Sequence, residues 1–145
     1  MTNISNKPLT LETLRGHLKH SPFAVLLDAQ VISCENGKVE LSVDMKKELT
    51  QHHGFAHGAI VGAIADNACA WAAASVVGDV VTSEYKINLL APAIGEKLIG
   101  RGEVVRAGRR QVTCRSDVFA VNNGVEKIVA TALATIAIVE QKVAA

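Results

Sequence analysis

Aromatic side chains are scarce: one Trp, one Tyr and three Phe make up 3% of the 145 residues. With 49% of the chain hydrophobic, the core must be built from Val, Ile, Leu and Ala. Charge of one sign is also missing. The formal net charge is +1 and the pI about 7.8, which predicts neither a nucleic-acid footprint nor an acidic tail. Cysteines are few and odd in number: Cys34, Cys69 and Cys114 stand far apart, without metal-ligand spacing. That excludes a disulfide scaffold and agrees with a reducing cytoplasm. The first twenty residues lack the apolar core and small-residue cleavage site of a signal peptide. No charge-free apolar run reaches membrane-spanning length; the Ala-rich stretch comes nearest, and His57 and Asp66 interrupt it. The expectation is therefore a cytoplasmic protein with no membrane and no nucleic-acid partner, and with no metal or redox cofactor.

What is present fits one domain over residues 1–145. Mean hydropathy is +0.24, more apolar surface than a lone small domain can hide, so an oligomer is expected. Thr10 is a plausible N-cap with Thr13 at the capping-box position. Leu11, Leu14 and Leu18 then recur at helical spacing. A short helix over about Leu11–Lys19 closes an N-terminal extension of residues 1–20. Val25–Cys34 is β-branched and apolar and reads as a strand. Asn36-Gly37 is a two-residue hairpin turn, and Val39, Leu41 and Val43 alternate with polar residues beyond it. Lys46–Ala56 is a polar connector in which Gly54 can take a positive φ. Strands follow at Val80–Leu90, Lys97–Ala107, Gln111–Val121 and Lys127–Val139. Two glycines inside the second of these suggest a bend or bulge. Residues 140–145 form a frayed tail.

Between the connector and these later strands lies His57–Ser75, HGAIVGAIADNACAWAAAS. It reads as a small-residue helix, apolar all round and hence buried, with one carboxylate, Asp66, in its middle. The residues one turn away, Gly62, Ala63, Cys69 and Ala70, include no cation. An unpaired buried carboxylate is costly, and a chain that keeps one can use it as a base or nucleophile. Otherwise Asp66 is paired by another segment or faces solvent. Strands grouped around one long helix indicate an α+β fold with an antiparallel sheet covering that helix.

This order of elements resembles the hotdog fold, a curled antiparallel sheet wrapped around one long central helix, here with a short N-terminal helix. Gly54-x-x-His57-Gly58-Ala59 followed by Asp66 resembles the motif of the PaaI-type branch of hotdog acyl-CoA thioesterases, including the eight-residue step from Gly58 to Asp66. Asn88–Ala93 resembles that family's strand ending in Pro-Ala, and Val105–Arg110 its Gly-Arg turn. Two positions depart from the pattern: Gln51 stands where Asn is usual, and Ala59 where a second Gly is usual.

The resemblance implies an enzyme that hydrolyses an acyl-CoA thioester to a free acid and CoA. Asp66 would be general base or nucleophile. The Gly58 and Ala59 amides, unpartnered at a helix N-terminus, would stabilise an oxyanion. Gln51 would hold the attacking water or the thioester oxygen. Thr82 would supply an assisting hydroxyl, with Ser83 on the other strand face. His57 would order the loop, and Gly54, Asn67 and Ser83 join it in the substrate-binding set. Arg106, Gly108 and Arg109 would meet the CoA phosphates, Arg109 first, unless they are a solvated hairpin tip. His52 and His53 lack the partners a metal site needs.

Eight residues of helix span roughly 12 Å, too far for one chain's amides and carboxylate to share a carbonyl. A site built from two subunits follows, with a homodimer as the minimal unit and a homotetramer as the fuller assembly. Two other readings keep the fold: a non-catalytic acyl-CoA-binding module, and an enoyl-CoA hydratase or dehydratase.

Overall fold

Thr10 starts the first helix with a reciprocal cap. Its hydroxyl accepts from the Thr13 amide at 3.2 Å, and the Thr13 hydroxyl accepts from the Thr10 amide at 2.8 Å. Threonine thus serves the capping-box position usually held by Glu or Gln. Helix α1 runs Leu11–Leu18 and buries Leu14. Arg15 fastens it to the sheet by donating twice to the Val31 carbonyl, at 3.0 and 2.8 Å. The structure is a computed structural model that describes residues 7–140, so the first six residues of the extension and the tail from 141 lie outside the described residues.

The strand expected over Val25–Cys34 is a helix in its first part. Helix α2 is Pro22–Leu27, and strand β1 is Gln30–Glu35. Pro22 opens the helix, where its fixed φ and missing N–H cost nothing. Ala24 and Leu27, three apart, are the buried pair, and Asp28 ends the helix in the left-handed conformation at φ 52. The β-branched residues Val31 and Ile32 lie in the strand part, while the helical part holds only Val25 and covers barely two turns, too few for a helical period to show.

Asn36 and Gly37, both at positive φ, turn the chain tightly into β2, Lys38–Asp44. A 3-10 turn at Lys47–Leu49 interrupts the polar connector. Helix α3, Gly58–Val77, follows. Strands β3 (Val80–Leu89), β4 (Lys97–Ala107), β5 (Gln111–Asn122) and β6 (Val125–Ile138) complete one antiparallel sheet in the order β1-β2-β4-β5-β6-β3. The sheet curls around α3, which touches every strand. This is the hotdog arrangement.

Helix α3 is long and apolar enough to cross a membrane, and half of that stretch is buried inside the sheet. Its small residues explain how it fits. Ala65, Ala68, Ala72 and Ala73 are fully buried. On β4, Gly100 and Gly102 face them: a Cβ on Gly102 would stand 2.1 Å from the Ala68 carbonyl oxygen. The two glycines therefore mark a close approach of helix and sheet backbones. The expected irregularity lies further on, as a bulge between Val104 and Arg106. On β5, Val112, Cys114, Ser116 and Val118 all turn inward, as their alternation predicts. Ser116, polar and buried, donates to the Ala65 carbonyl at 2.9 Å.

Strand β3 lies at the sheet edge beside β6. Its register slips at Ser83, which has no partner on β6. Thr82 pairs with Ile136, Tyr85 with Ala134, Ile87 with Ala132 and Leu89 with Ala130, all inward-facing positions of β6. The bulge thus puts Thr82 and Tyr85 on one face, although they are three residues apart.

Candidate functional site

The middle of α3 and the start of β3 meet at Asp66. The carboxylate is half-buried, and its Oδ1 accepts from the Thr82 hydroxyl at 2.6 Å. A hydrogen bond to a charged acceptor of this length is strong and directional, and it fixes the carboxylate rotamer. Asp66 is therefore paired by another segment, through a neutral donor rather than a cation. Asn67, beside it, is half-buried, and Ser83 is exposed on the bulge. Neither is drawn into the contact.

The other end of the motif sits at the start of α3. His57 caps the helix, its Nδ1 accepting from the Ala59 amide at 3.0 Å. The Ala59 amide is thus occupied, which narrows the donor pair expected from the sequence. The Gly58 amide has no hydrogen-bond partner among the described residues. It lines a cavity of about 430 Å³ together with Gln51, Phe55, Val61, Leu89 and Pro92. An unpartnered helix N-terminal N–H beside an apolar hollow can stabilise a developing negative charge. Phe55, Val61 and Leu89 were not legible as site residues, because apolar residues carry no chemical signature in sequence.

Gln51 enters this cavity from the connector loop. Its Oε1 accepts from the His53 amide, which turns the side-chain NH2 into its free donor end. The loop closes through Gly54, whose amide donates to the Gln51 carbonyl at 2.9 Å. Gly54 has φ +88, a value that β-carbons disfavour. Gly54 is exposed and acts through loop shape rather than by lining the cavity. His52 and His53 pack ring to ring at 4.0 Å, and His53 stacks on Phe55.

In one chain the two ends remain apart. The cavity's lining includes Gln51 and Gly58 but neither Asp66 nor Thr82. Arg106, Gly108 and Arg109 are exposed at the β4–β5 turn, which the Gly108 amide closes on the Gln111 carbonyl at 2.8 Å. Through the register Val112–Ile136–Thr82 that turn lies at the Asp66 end of the sheet. The cavity lies at the Leu89 end.

Two features stand outside this arrangement. A hollow of about 510 Å³ on the outer sheet face is larger, but its charges neutralise one another: Arg101 pairs with Glu40 and Glu126, each at 2.7 Å, and Arg115 with Glu103. The thiols are also poor nucleophiles. Burial pushes Cys69 up to about 11, with the Asp66 charge adding to the shift, and burial pushes Cys114 up to about 12. Both stay protonated at neutral pH.

Residues 53–127, from the connector loop into the start of β6, match the thioesterase superfamily. The chain belongs to that superfamily. A thioesterase family protein from Silicibacter pomeroyi is 36% identical over 87% of this chain and 95% of its own, with a TM-score of 0.84. A curated protein of Archaeoglobus fulgidus, named as a candidate esterase, is 27% identical over 91% of this chain and 85% of its own. The Escherichia coli PaaI protein of the phenylacetic acid degradation operon shares the fold at 20% identity, with a TM-score of 0.76 over 91% of this chain and 96% of its own. The thioesterase is accordingly a hydrolase, and the Asp66–Thr82 pair gives it a positioned carboxylate. Substituting Thr82→Val removes the donor while keeping the side-chain shape. Thioester hydrolysis by that variant should fall about tenfold in kcat, the effect of one charge-assisted hydrogen bond. A thiol-release assay checks it.

Proposed function

We propose that this thioesterase hydrolyses acyl-CoA thioesters in the cytoplasm, and that its active site is shared between two copies of the chain. The observation that carries the reading is the Asp66 carboxylate held at 2.6 Å by Thr82, on the helix that offers a free Gly58 amide at its start. Water attacks the thioester carbon, forming a C–O bond. The C–S bond then breaks, and the water proton passes by way of Asp66 to the departing CoA sulfur. Alternatively the Asp66 carboxylate attacks first and expels the CoA thiolate, and water then opens the mixed anhydride to the free acid and the Asp66 carboxylate, one water proton ending on the CoA sulfur. The Gly58 amide and the Gln51 NH2 stabilise the oxyanion. Arg109, with Arg106, meets the CoA phosphates.

The free edge of β3 favours the shared site. β3 pairs with β6 on one side and with no strand of the described residues on the other, and its apolar ends carry Val81 and Leu89, 57% and 59% exposed. Antiparallel pairing of β3 with its copy about a two-fold axis sets the Leu89 end of one chain against the Thr82 end of the other. The Gly58 amide and its cavity then meet Asp66 and Arg109 of the partner subunit. Two such dimers would form the tetramer.

The test is thiol release by the wild type from short, medium, long-chain and phenylacetyl-type CoA thioesters. Turnover of at least one class is expected. Binding of CoA esters with no turnover of any would replace this reading by that of a binding module. Light scattering should give twice the 15.3 kDa chain mass or a multiple of it. Mixing Asp66→Asn with Gln51→Ala chains tests the sharing. Each mixed dimer carries one site with both native groups, so activity should recover to about a quarter of wild type. No recovery, with mixed dimers demonstrated, would place both groups in one chain.

A further inference from the structure

Three rungs join α3 to β3. A Cβ on Gly58 would stand 3.3 Å from Leu89 Cδ1, a Cβ on Gly62 would stand 3.2 Å from the Tyr85 hydroxyl, and Asp66 accepts from Thr82. Gly58, Gly62 and Asp66 are four residues apart and so share one helix face. That face carries both ends of the proposed chemistry. Gly62 is the rung without an assigned purpose. Glycine is a poor residue for a helix interior. Here the missing Cβ opens the space in which a phenol lies against the helix.

The phenol is the chain's single tyrosine. It reaches this face because of the bulge at Ser83; a regular strand would turn Thr82 and Tyr85 to opposite sides. Its hydroxyl has no hydrogen-bond partner among the described residues. Of the other inward-facing side chains on β3, Thr82 spends its one proton on Asp66, and Ile87 and Leu89 are apolar, so Tyr85 holds the free hydroxyl proton of this face. Tyr85 is 41% exposed in the single chain, so water serves its hydroxyl there. Once a second copy and a substrate cover the face, that hydroxyl needs a new partner or becomes a penalty.

We infer that Tyr85 is a specificity-determining residue whose hydroxyl, placed by Gly62 one turn from the Gly58 amide, hydrogen-bonds a polar group on the acyl portion of the substrate. The inference rests on the thioesterase reading above and narrows its substrate class. Favoured acyl groups carry a hydroxyl or carbonyl a few bonds beyond the thioester, where a plain alkyl chain would leave the phenol unpaired. A site built to bond such a group discriminates strongly against the analogue lacking it.

The experiment compares hexanoyl-CoA with its hydroxyhexanoyl-CoA isomers in the wild type, Tyr85→Phe and Gly62→Ala, reading kcat and KM for each and the oligomer mass by light scattering. In the wild type at least one hydroxy isomer should have the higher kcat/KM. In Tyr85→Phe that preference should fall at least tenfold, mainly through KM. Gly62→Ala keeps the phenol but displaces it, and should reduce the preference as well. An equal loss on all substrates with a weakened dimer would make Tyr85 a contact between copies and overturn the inference. An unchanged preference would also overturn it. If the wild type hydrolyses none of these esters or the wider panel, the thioesterase reading itself fails, and that outcome is separate from the other two.

Discussion

Asp66→Asn should lower kcat for thioester hydrolysis by about 10²–10⁴-fold, the range that a positioned general acid or base contributes. The substitution is chosen to leave the structure alone. Asparagine keeps an oxygen that can accept from the Thr82 hydroxyl, now 2.6 Å from Oδ1. It fills the same half-buried volume between α3 and β3. The amide neither takes a proton from water nor attacks a thioester, so both chemical roles open to Asp66 are lost together. KM should change far less than kcat, because the Gly58 amide, the cavity and the arginines at the β4–β5 turn are untouched. The melting temperature should stay near wild type. Asp66→Ala is the harsher test, since it also strands the Thr82 hydroxyl. Thiol-release kinetics with thermal denaturation on the same samples decide the matter. Retention of more than a tenth of wild-type kcat by a folded Asp66→Asn enzyme would move the chemistry to another group.

The elements that carry this site could be read from sequence where a local rule was strong. The small-residue run of α3 with its lone carboxylate gave a buried helix, and the spacing from Gly58 to Asp66 pointed to the thioesterase pattern. The resemblance named Thr82 for a hydroxyl, and that hydroxyl donates to Asp66. What escaped was set by non-local geometry. The slip at Ser83 depends on pairing with β6, and without it Tyr85 has no reason to face the helix. The His57 ring takes the Ala59 amide because the cap rotamer suits it, and a motif that names both residues does not reveal that competition. Helix α2 was hidden by its shortness and by the β-branched pair Val31 and Ile32 just beyond it, although Pro22 at its first position was the available sign. The glycines of β4 were visible, but only the position of Ala68 beside them shows what they are for.

Those glycines carry the second large effect. Gly102→Ala should destabilise the fold by about 3 kcal/mol or more, at or above the usual range for overpacking. The new Cβ would lie 2.1 Å from the Ala68 carbonyl oxygen and 2.4 Å from its carbon. Neither is the end of a flexible side chain, so α3 itself must lift from β4. For a domain of this size the melting temperature should drop by roughly 10 °C. Ala68 lies two residues beyond Asp66, and a lifted helix also draws the carboxylate away from Thr82. The surviving folded fraction should therefore lose activity as well. The same substitution elsewhere separates steric cause from the general effect of adding a methyl. At Gly100 the nearest atoms are Ile64 Cγ2 at 2.7 Å and the Ile64 carbonyl oxygen at 3.2 Å, a milder clash than the 2.1 Å backbone contact at Gly102, so the loss should be smaller. At Gly62 the methyl meets the movable Tyr85 phenol, and helix propensity favours alanine by about 1 kcal/mol, so stability should hold or rise. Chemical denaturation of the three variants should rank them Gly62→Ala, Gly100→Ala, Gly102→Ala from most to least stable. A Gly102→Ala protein as stable as the wild type would mean that helix and sheet do not approach as closely as the Ala68 contact requires, and the placement of Asp66 beside Thr82 would fall with it.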